Sequence, residues 1–326
     1  MFPDAQRNAE SCYVGRMQIR NRKQAQDTAL GSTESIPWMS KAVLLVVAPW
    51  MAAQFLLEFQ AWLHTLPSVA WITLGLSILM AGVVWRLRAG TAGAAALGAT
   101  ILGCLIWGTI AFPYTQWLRT GITPLLVTLL LTLTATRVGQ HKRGERNTRE
   151  AKSGRNAAQV ASNLGIAGIA VTLVPFAPQL VAHNPNFASL IAYAALAEAA
   201  ADTVSSEMGQ SFGGTPRLIT TWKAVPAGTD GAVTLTGTLA GIAAAAVVAV
   251  SGIWALTGSF QQQWIGLLLI FAGGCVGWLA DSVLGAALER RGWLNNDAVN
   301  FLSTLCAAST TLILARACAA WLLART

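Results

Sequence analysis

The chain of 326 residues has only 14 Asp and Glu residues. A few of these sit inside long apolar stretches, where a carboxylate is costly and usually functional. Glu198 and Asp202 are four residues apart and so share one helical face. Glu207 follows toward the end of the same stretch. Asp281 continues a row of small residues, Gly273 and Gly277, with Gly285 beyond it. That row places it against a neighbouring helix and not in lipid. Clustered carboxylates facing a cavity suit Mg²⁺, which takes oxygen ligands and shares them with phosphates. Asp202, Glu207 and Asp281 are the expected catalytic and metal-binding set. Glu198 has two readings: a member of that group, or a side chain that is partly exposed or paired with a base.

Three other polar segments could serve the same chemistry. The segment MGQSFGGTPRLITTWKAVPAGTDGAVTLTGT is rich in Gly, Thr and Pro, with Arg217 and Lys223 as its only cations. Gly228, Thr229, Asp230 and Gly231 stand just before the next apolar stretch. A Gly-rich turn that feeds a helix start offers backbone N–H groups and a positive dipole end to an anion. Thr220 and Thr221 add hydroxyls, although turn chemistry alone selects the same residue types. In GRNAAQVASN, Gln159 and Asn163 lie on one face, with Arg155 beside them as a candidate phosphate contact. In ERRGWLNNDAVNFLST, Asn296 and Asn300 share a face in the same way. Neither the GxxxxGK[ST] loop nor the kinase glycine loop is present. Cys12, Cys104, Cys275, Cys306 and Cys318 form no CxxC pair. His64, His141 and His183 are dispersed, so nothing suggests a thiolate or imidazole metal site.

The elements that must hold these residues are membrane helices. The chain is 54% apolar and 11% charged, with a mean hydropathy of +0.52. A soluble surface of this size needs more charge. The fold class is therefore all-α, a polytopic helical membrane protein with about nine transmembrane helices. The expected spans are 39–57, 67–85, 90–112, 121–138, 160–182, 187–207, 233–256, 263–286 and 298–323. Each is near the ~20 residues that cross the hydrocarbon. Residues 1–37 read as a polar, basic, mostly disordered cytoplasmic leader, and 38–326 as the transmembrane helical domain. With the N-terminus cytoplasmic, every Lys and Arg except Arg119, Arg316 and Arg325 falls on the inner side. The net charge of +8 is thus a topology signal, and no nucleic-acid partner is expected. The location is integral and multi-pass, in the cell membrane or, in a bacterium, the inner membrane. All the polar helix ends fall on the cytoplasmic side, and the outer loops are nearly uncharged. That one-sidedness disfavours a midplane transport site. It suits an enzyme that meets a soluble phosphate donor in the cytosol and a lipid in the bilayer. The alternative is a membrane transporter or lipid-binding protein without catalysis. Ala201-Asp202-Thr203-Val204 and Ala280-Asp281-Ser282-Val283 form a faint internal echo.

The strings GRNAAQVASN, ADTVSSEMG, TPRLITTWKAVPAGTDGAVTLTGTLAG and ADSVLGAALERRGWLNNDAVNFLST resemble a membrane family long catalogued as a domain of unknown function. That family contains animal transmembrane protein 19 and the phytyl-phosphate kinase of plants and cyanobacteria. The resemblance covers roughly residues 60–320. It implies an integral membrane protein and, for the kinase members, phosphoryl transfer from a nucleoside triphosphate, with CTP favoured, to an isoprenoid (phytyl or prenyl) phosphate. Carried onto this chain, it implies that Asp202, Glu207 and Asp281 hold Mg²⁺ or orient the attacking phosphate. Arg155, Arg217 and Lys223 would neutralise phosphates. Thr220, Thr221, Gly228, Thr229 and Gly231 would cradle the nucleotide, and Asn163, Asn296 and Asn300 would position groups around it.

Overall fold

The apolar stretches fold as helices because a backbone in lipid has no hydrogen-bond partner except its own. The computed structural model describes residues 36–110, 116–144, 154–173, 186–257 and 263–323. In chain order the helices are α1 (Trp38–Thr65), α2 (Pro67–Arg86), α3 (Ala92–Thr109), α4 (Ile122–Arg143), α5 (Ala157–Thr172), α6 (Phe187–Phe212), α7 (Leu235–Thr257), α8 (Trp264–Leu284) and α9 (Asn296–Leu323). Eight of them are long and apolar enough to cross a membrane. The exception is α5, expected over 160–182. Its described part is 16 residues long and starts earlier, at Ala157, because Asn156 and Gln159 form a reciprocal capping box there. Residues 174–185 lie outside the described residues, as do residues 1–35, on which the expectation of a leader falls.

Alanine sets the centre of the bundle. Helix α6 carries AYAALAEAAA, so its surface is narrow and α4, α5, α7, α8 and α9 all pack on it. The small-residue rows make those approaches close. A Cβ added at Gly241 of α7 would lie 2.9 Å from Ser205 Cβ and 3.0 Å from the Ala201 carbonyl of α6. One added at Gly277 of α8 would lie 2.6 Å from Ala307 Cβ of α9 and 2.8 Å from Glu198 Cγ of α6. Backbone contact of this kind is how helices associate where no hydrophobic drive acts between them. It wedges α8 between α6 and α9. By contrast, α1 and α2 bury little of their surface inside the bundle.

Two irregular elements were not expected from the sequence. The segment between α6 and α7 contains a two-residue antiparallel pair, β1 (Arg217–Leu218) and β2 (Ala232–Val233). Helix α8 ends in a π-helical turn over Gly285–Glu289, a feature that often marks functional sites.

Candidate functional site

The helix packing delivers Asp202 and Asp281 to each other. Asp202 lies one turn beyond Glu198 on α6, and Asp281 one turn beyond Gly277 on α8. Their carboxyl groups are within hydrogen-bonding reach. Glu198 lies deeper and is 1% exposed, and its Oε1 has no hydrogen-bond partner among the described residues. It is therefore neither partly exposed nor paired through that atom with a base. Asn300, the second amide of α9, completes the group. With its nitrogen toward Asp281 it donates to Asp281 Oδ2 at 3.3 Å and to the Asn296 carbonyl at 3.1 Å. Its oxygen then accepts from Asn163 Nδ2 at 3.2 Å. Asn163 also donates to the Gln159 carbonyl at 2.8 Å. These buried amides thus satisfy one another across α5 and α9.

Two cavities flank Asp202 and share Asp202, Ser206 and Asn296 as a wall. The first, about 220 Å³, is acidic: Asp202, Asp230, Asp281 and Glu289 line it together with the turn Gly228–Gly231. Gly231 is required there. Its φ is +71°, and an added Cβ would meet the backbone and side chain of Ala286. The glycine turn is thus seated directly on the π-helical turn of α8. One N–H at the start of α7 is already taken, because Gly237 donates to Thr234 Oγ1 at 3.0 Å. Trp278 Nε1 donates to Ser205 Oγ at 2.8 Å and braces the cavity floor.

The second cavity, about 640 Å³, is basic. Arg88, Arg137, Arg143 and Arg155 line it with Gln140 and Gln159. Arg155 is fixed by its backbone: its N–H donates to the Ala89 carbonyl at 3.0 Å, and its carbonyl accepts from Thr91 N at 2.9 Å. Its guanidinium donates to Thr203 Oγ1 at 3.4 Å. Gly154 allows the two segments to meet. Its φ is +70°, and an added Cβ would strike the Arg88 carbonyl.

The expected ligand set is therefore only partly assembled. Asp202 and Asp281 converge, but Glu207 faces the basic cavity, where its Oε2 accepts from Arg143 Nη2 at 2.8 Å. Among the described residues no three His, Cys, Asp or Glu side chains are grouped as metal ligands. Gly228, Thr229, Gly231 and Asn296 line the acidic cavity, and Arg155, Asn163, Asn296 and Asn300 line the basic one. Arg217, Thr220, Thr221 and Lys223 line neither. Arg217 instead donates to the Trp222 carbonyl at 2.9 Å, holding its own loop together. The sequence does not single out Glu289, Arg88, Arg137 or Arg143. The arginines at the helix ends look like ordinary topology signals, and Glu289 sits in a run with Arg290 and Arg291.

The sequence model of the integral membrane protein family DUF92 matches residues 75–308, which include both cavities. The chain belongs to the DUF92 family. It is an integral membrane protein. An uncharacterized membrane protein of Methanocaldococcus jannaschii is 45% identical over 118 residues, covering 36% of this chain and 48% of that protein. An uncharacterized membrane protein of Synechocystis is 29% identical over 216 residues, 66% of this chain and 78% of the relative. The chloroplastic protein VTE6 of Arabidopsis thaliana is 38% identical over 105 residues, 31% of this chain and 30% of its own length. The DUF92 chain thus spans about half the length of the archaeal relative and under a third of VTE6. No solved structure matches it.

Proposed function

We propose that this DUF92 protein is a CTP-dependent prenyl-phosphate kinase whose active site is the junction of the two cavities on the cytoplasmic face. The observation that carries the proposal is the shared wall. One carboxylate, Asp202, borders both an acidic cavity under a glycine turn and a cavity lined by four arginines. A nucleoside triphosphate with its divalent ion suits the first, and an anionic acceptor suits the second. The family resemblance and the partial similarity to VTE6 support the same chemistry.

An oxygen of the prenyl monophosphate attacks the γ-phosphorus of CTP. The new P–O bond forms as the bond to the β–γ bridging oxygen breaks, and the electron pair leaves with CDP. Prenyl diphosphate is the product. The attacking oxygen is already anionic, so no general base is required, and positioning and charge neutralisation carry the catalysis. Asp202 and Asp281 are a donor set that fits Mg²⁺, which is usually held by one or two carboxylates plus substrate phosphates. When bound, it would neutralise charge on the departing diphosphate. Asn300 keeps Asp281 in place through its amide, and Arg155 stands beside Asp202 on the side of the arginine-lined cavity, where it would neutralise phosphate charge.

The test is incubation of membranes containing the protein with γ-labelled CTP, Mg²⁺ and phytyl or geranylgeranyl monophosphate. Labelled prenyl diphosphate is expected from the wild type and not from Asp202→Asn. No product above that control, across several chain lengths and nucleotides, would refute the kinase reading.

A further inference from the structure

The acidic cavity has a polar rim that the phosphoryl chemistry does not use. Asp202, Ser205, Ser206, Gly209 and Gln210 line it from α6. Their spacing of three, four, seven and eight residues from Asp202 makes one face of the helix. Gln210 stands eight residues beyond Asp202, about 12 Å along the axis, toward the cytosolic end of α6. Its backbone is held there by Gly209, which packs on the start of α7. A Cβ added at Gly209 would lie 2.9 Å from Thr234 Oγ1 and 3.5 Å from Gly237 Cα. Gln210 is exposed, yet its amide is oriented. Its Nε2 donates to Ser206 Oγ, one turn back, at 3.0 Å. That bond engages the donor side of the amide and leaves Oε1 as the acceptor a ligand would meet.

We propose that Gln210 is a specificity-determining residue of the nucleotide site. Its carbonyl oxygen accepts a hydrogen bond from an exocyclic amino group of the base, and Ser206 is the positioning residue that fixes the amide. The direction of the nucleotide rests on the kinase reading above, which puts the terminal phosphate at Asp202 and Asp281. The cavity holds about 220 Å³, less than the ~300–1,000 Å³ of pockets that enclose a small molecule. A nucleotide therefore enters phosphates first, and its base stays at the rim. The separation of Gln210 from Asp202 along α6 matches the reach of a triphosphate and its ribose. The bases differ at just this kind of contact. Cytosine presents an amino donor where uracil presents a carbonyl acceptor. Two acceptors facing each other leave both unpaired, so a fixed Oε1 favours cytosine. An amide free to turn over would serve either base equally, because its other end is a donor.

Equilibrium binding of labelled CTP to the purified full-length protein, with Mg²⁺ but no lipid phosphate, tests the base contact apart from catalysis. UTP is the competitor, because it differs from CTP only at the edge in question. The wild type is expected to bind CTP about tenfold more tightly than UTP. Gln210→Leu should bring the two within about twofold of each other. Gln210→Glu keeps an acceptor, so it should preserve the preference while weakening both. Ser206→Ala frees the amide to turn over, and the preference should shrink to about threefold or less while CTP still binds. A hydrogen bond that merely stabilised the end of α6 would leave these ratios unmoved. Ser206 and Gln210 are exposed on α6, so the variants fold. Equal binding of CTP and UTP by the wild type, no saturable binding of either, or a preference that survives Gln210→Leu would overturn the inference. A protein that selects CTP through Gln210 but transfers no phosphate would overturn the kinase reading and leave the base contact standing. A protein that transfers phosphate equally well from CTP and UTP would overturn the base contact and leave phosphoryl transfer standing.

Discussion

The two cavities on either side of Asp202 are built by different means. The acidic one is held by close backbone packing: Gly277 on α9, Gly241 on α6, and Gly231 on the π-helical turn of α8. Its carboxylates reach their places because helices without side-chain bulk at those points can touch. The basic one is held by longer side chains and loop hydrogen bonds, with Arg155 pinned to the segment after α2 and Arg143 paired with Glu207. Its arginines reach inward from the ends of helices that elsewhere leave a gap. Damage to the first cavity should therefore cost both stability and chemistry. Damage to the second should alter substrate binding more than the fold.

The sharpest way to break this contrast is at the shared wall. Asp202→Asn is expected to lower turnover by about 100- to 1,000-fold, measured by label transfer from CTP to a prenyl monophosphate. The protein should remain folded by size-exclusion chromatography. Gly277→Val comes next. Its Cβ alone would sit 2.6 Å from Ala307 Cβ, and overpacking of this kind costs about 1–3 kcal/mol. Thermal unfolding in detergent should shift down, and activity should fall with it as Asp281 is displaced. Gly154→Ala should act on the basic cavity alone. Forcing a Cβ against the Arg88 carbonyl at positive φ costs about 1–3 kcal/mol locally. The KM for the lipid phosphate should rise about tenfold while the KM for CTP stays within about twofold.

Much of the acidic cavity is legible in the sequence because its logic is local. The i, i+4 spacing of Glu198 and Asp202, and the glycine row leading to Asp281, declare which faces must meet. The basic cavity is not legible in the same way. Arg88, Arg137 and Arg143 carry the same signal as any inner-loop arginine under the positive-inside rule. Only the tertiary gap between α3 and α4 shows that they converge. Glu207 illustrates the same limit. Its position at the end of α6 suggested a third ligand, but Arg143, 64 residues away in sequence, takes it. The short strand pair and the capped start of α5 depend on turn geometry that hydropathy does not register. Arg217, Thr220, Thr221 and Lys223 have suitable side chains for phosphate, but the β1–β2 hairpin carries them away from both cavities.

Smaller effects refine the contrast further. The Arg143–Glu207 pair is partly exposed, at 21% and 18% of the two side chains, and such pairs contribute under about 1 kcal/mol. Glu207→Gln should therefore barely alter the unfolding temperature. It should tighten binding of a phosphate monoester slightly by removing a negative charge from the basic cavity. Arg217→Gln and Lys223→Gln should leave both KM values within about twofold of the wild type, as checked by steady-state kinetics.

On the proposed kinase reading, one carboxylate, Asp202, stands between a nucleotide site and a lipid-phosphate site. The decisive measurement is single-turnover transfer of labelled γ-phosphate from CTP to geranylgeranyl monophosphate, in wild type and in Asp202→Asn. Transfer in the wild type is predicted, with a loss of at least about 100-fold in the variant while binding of farnesyl monophosphate persists. Equal transfer by the two proteins would contradict it.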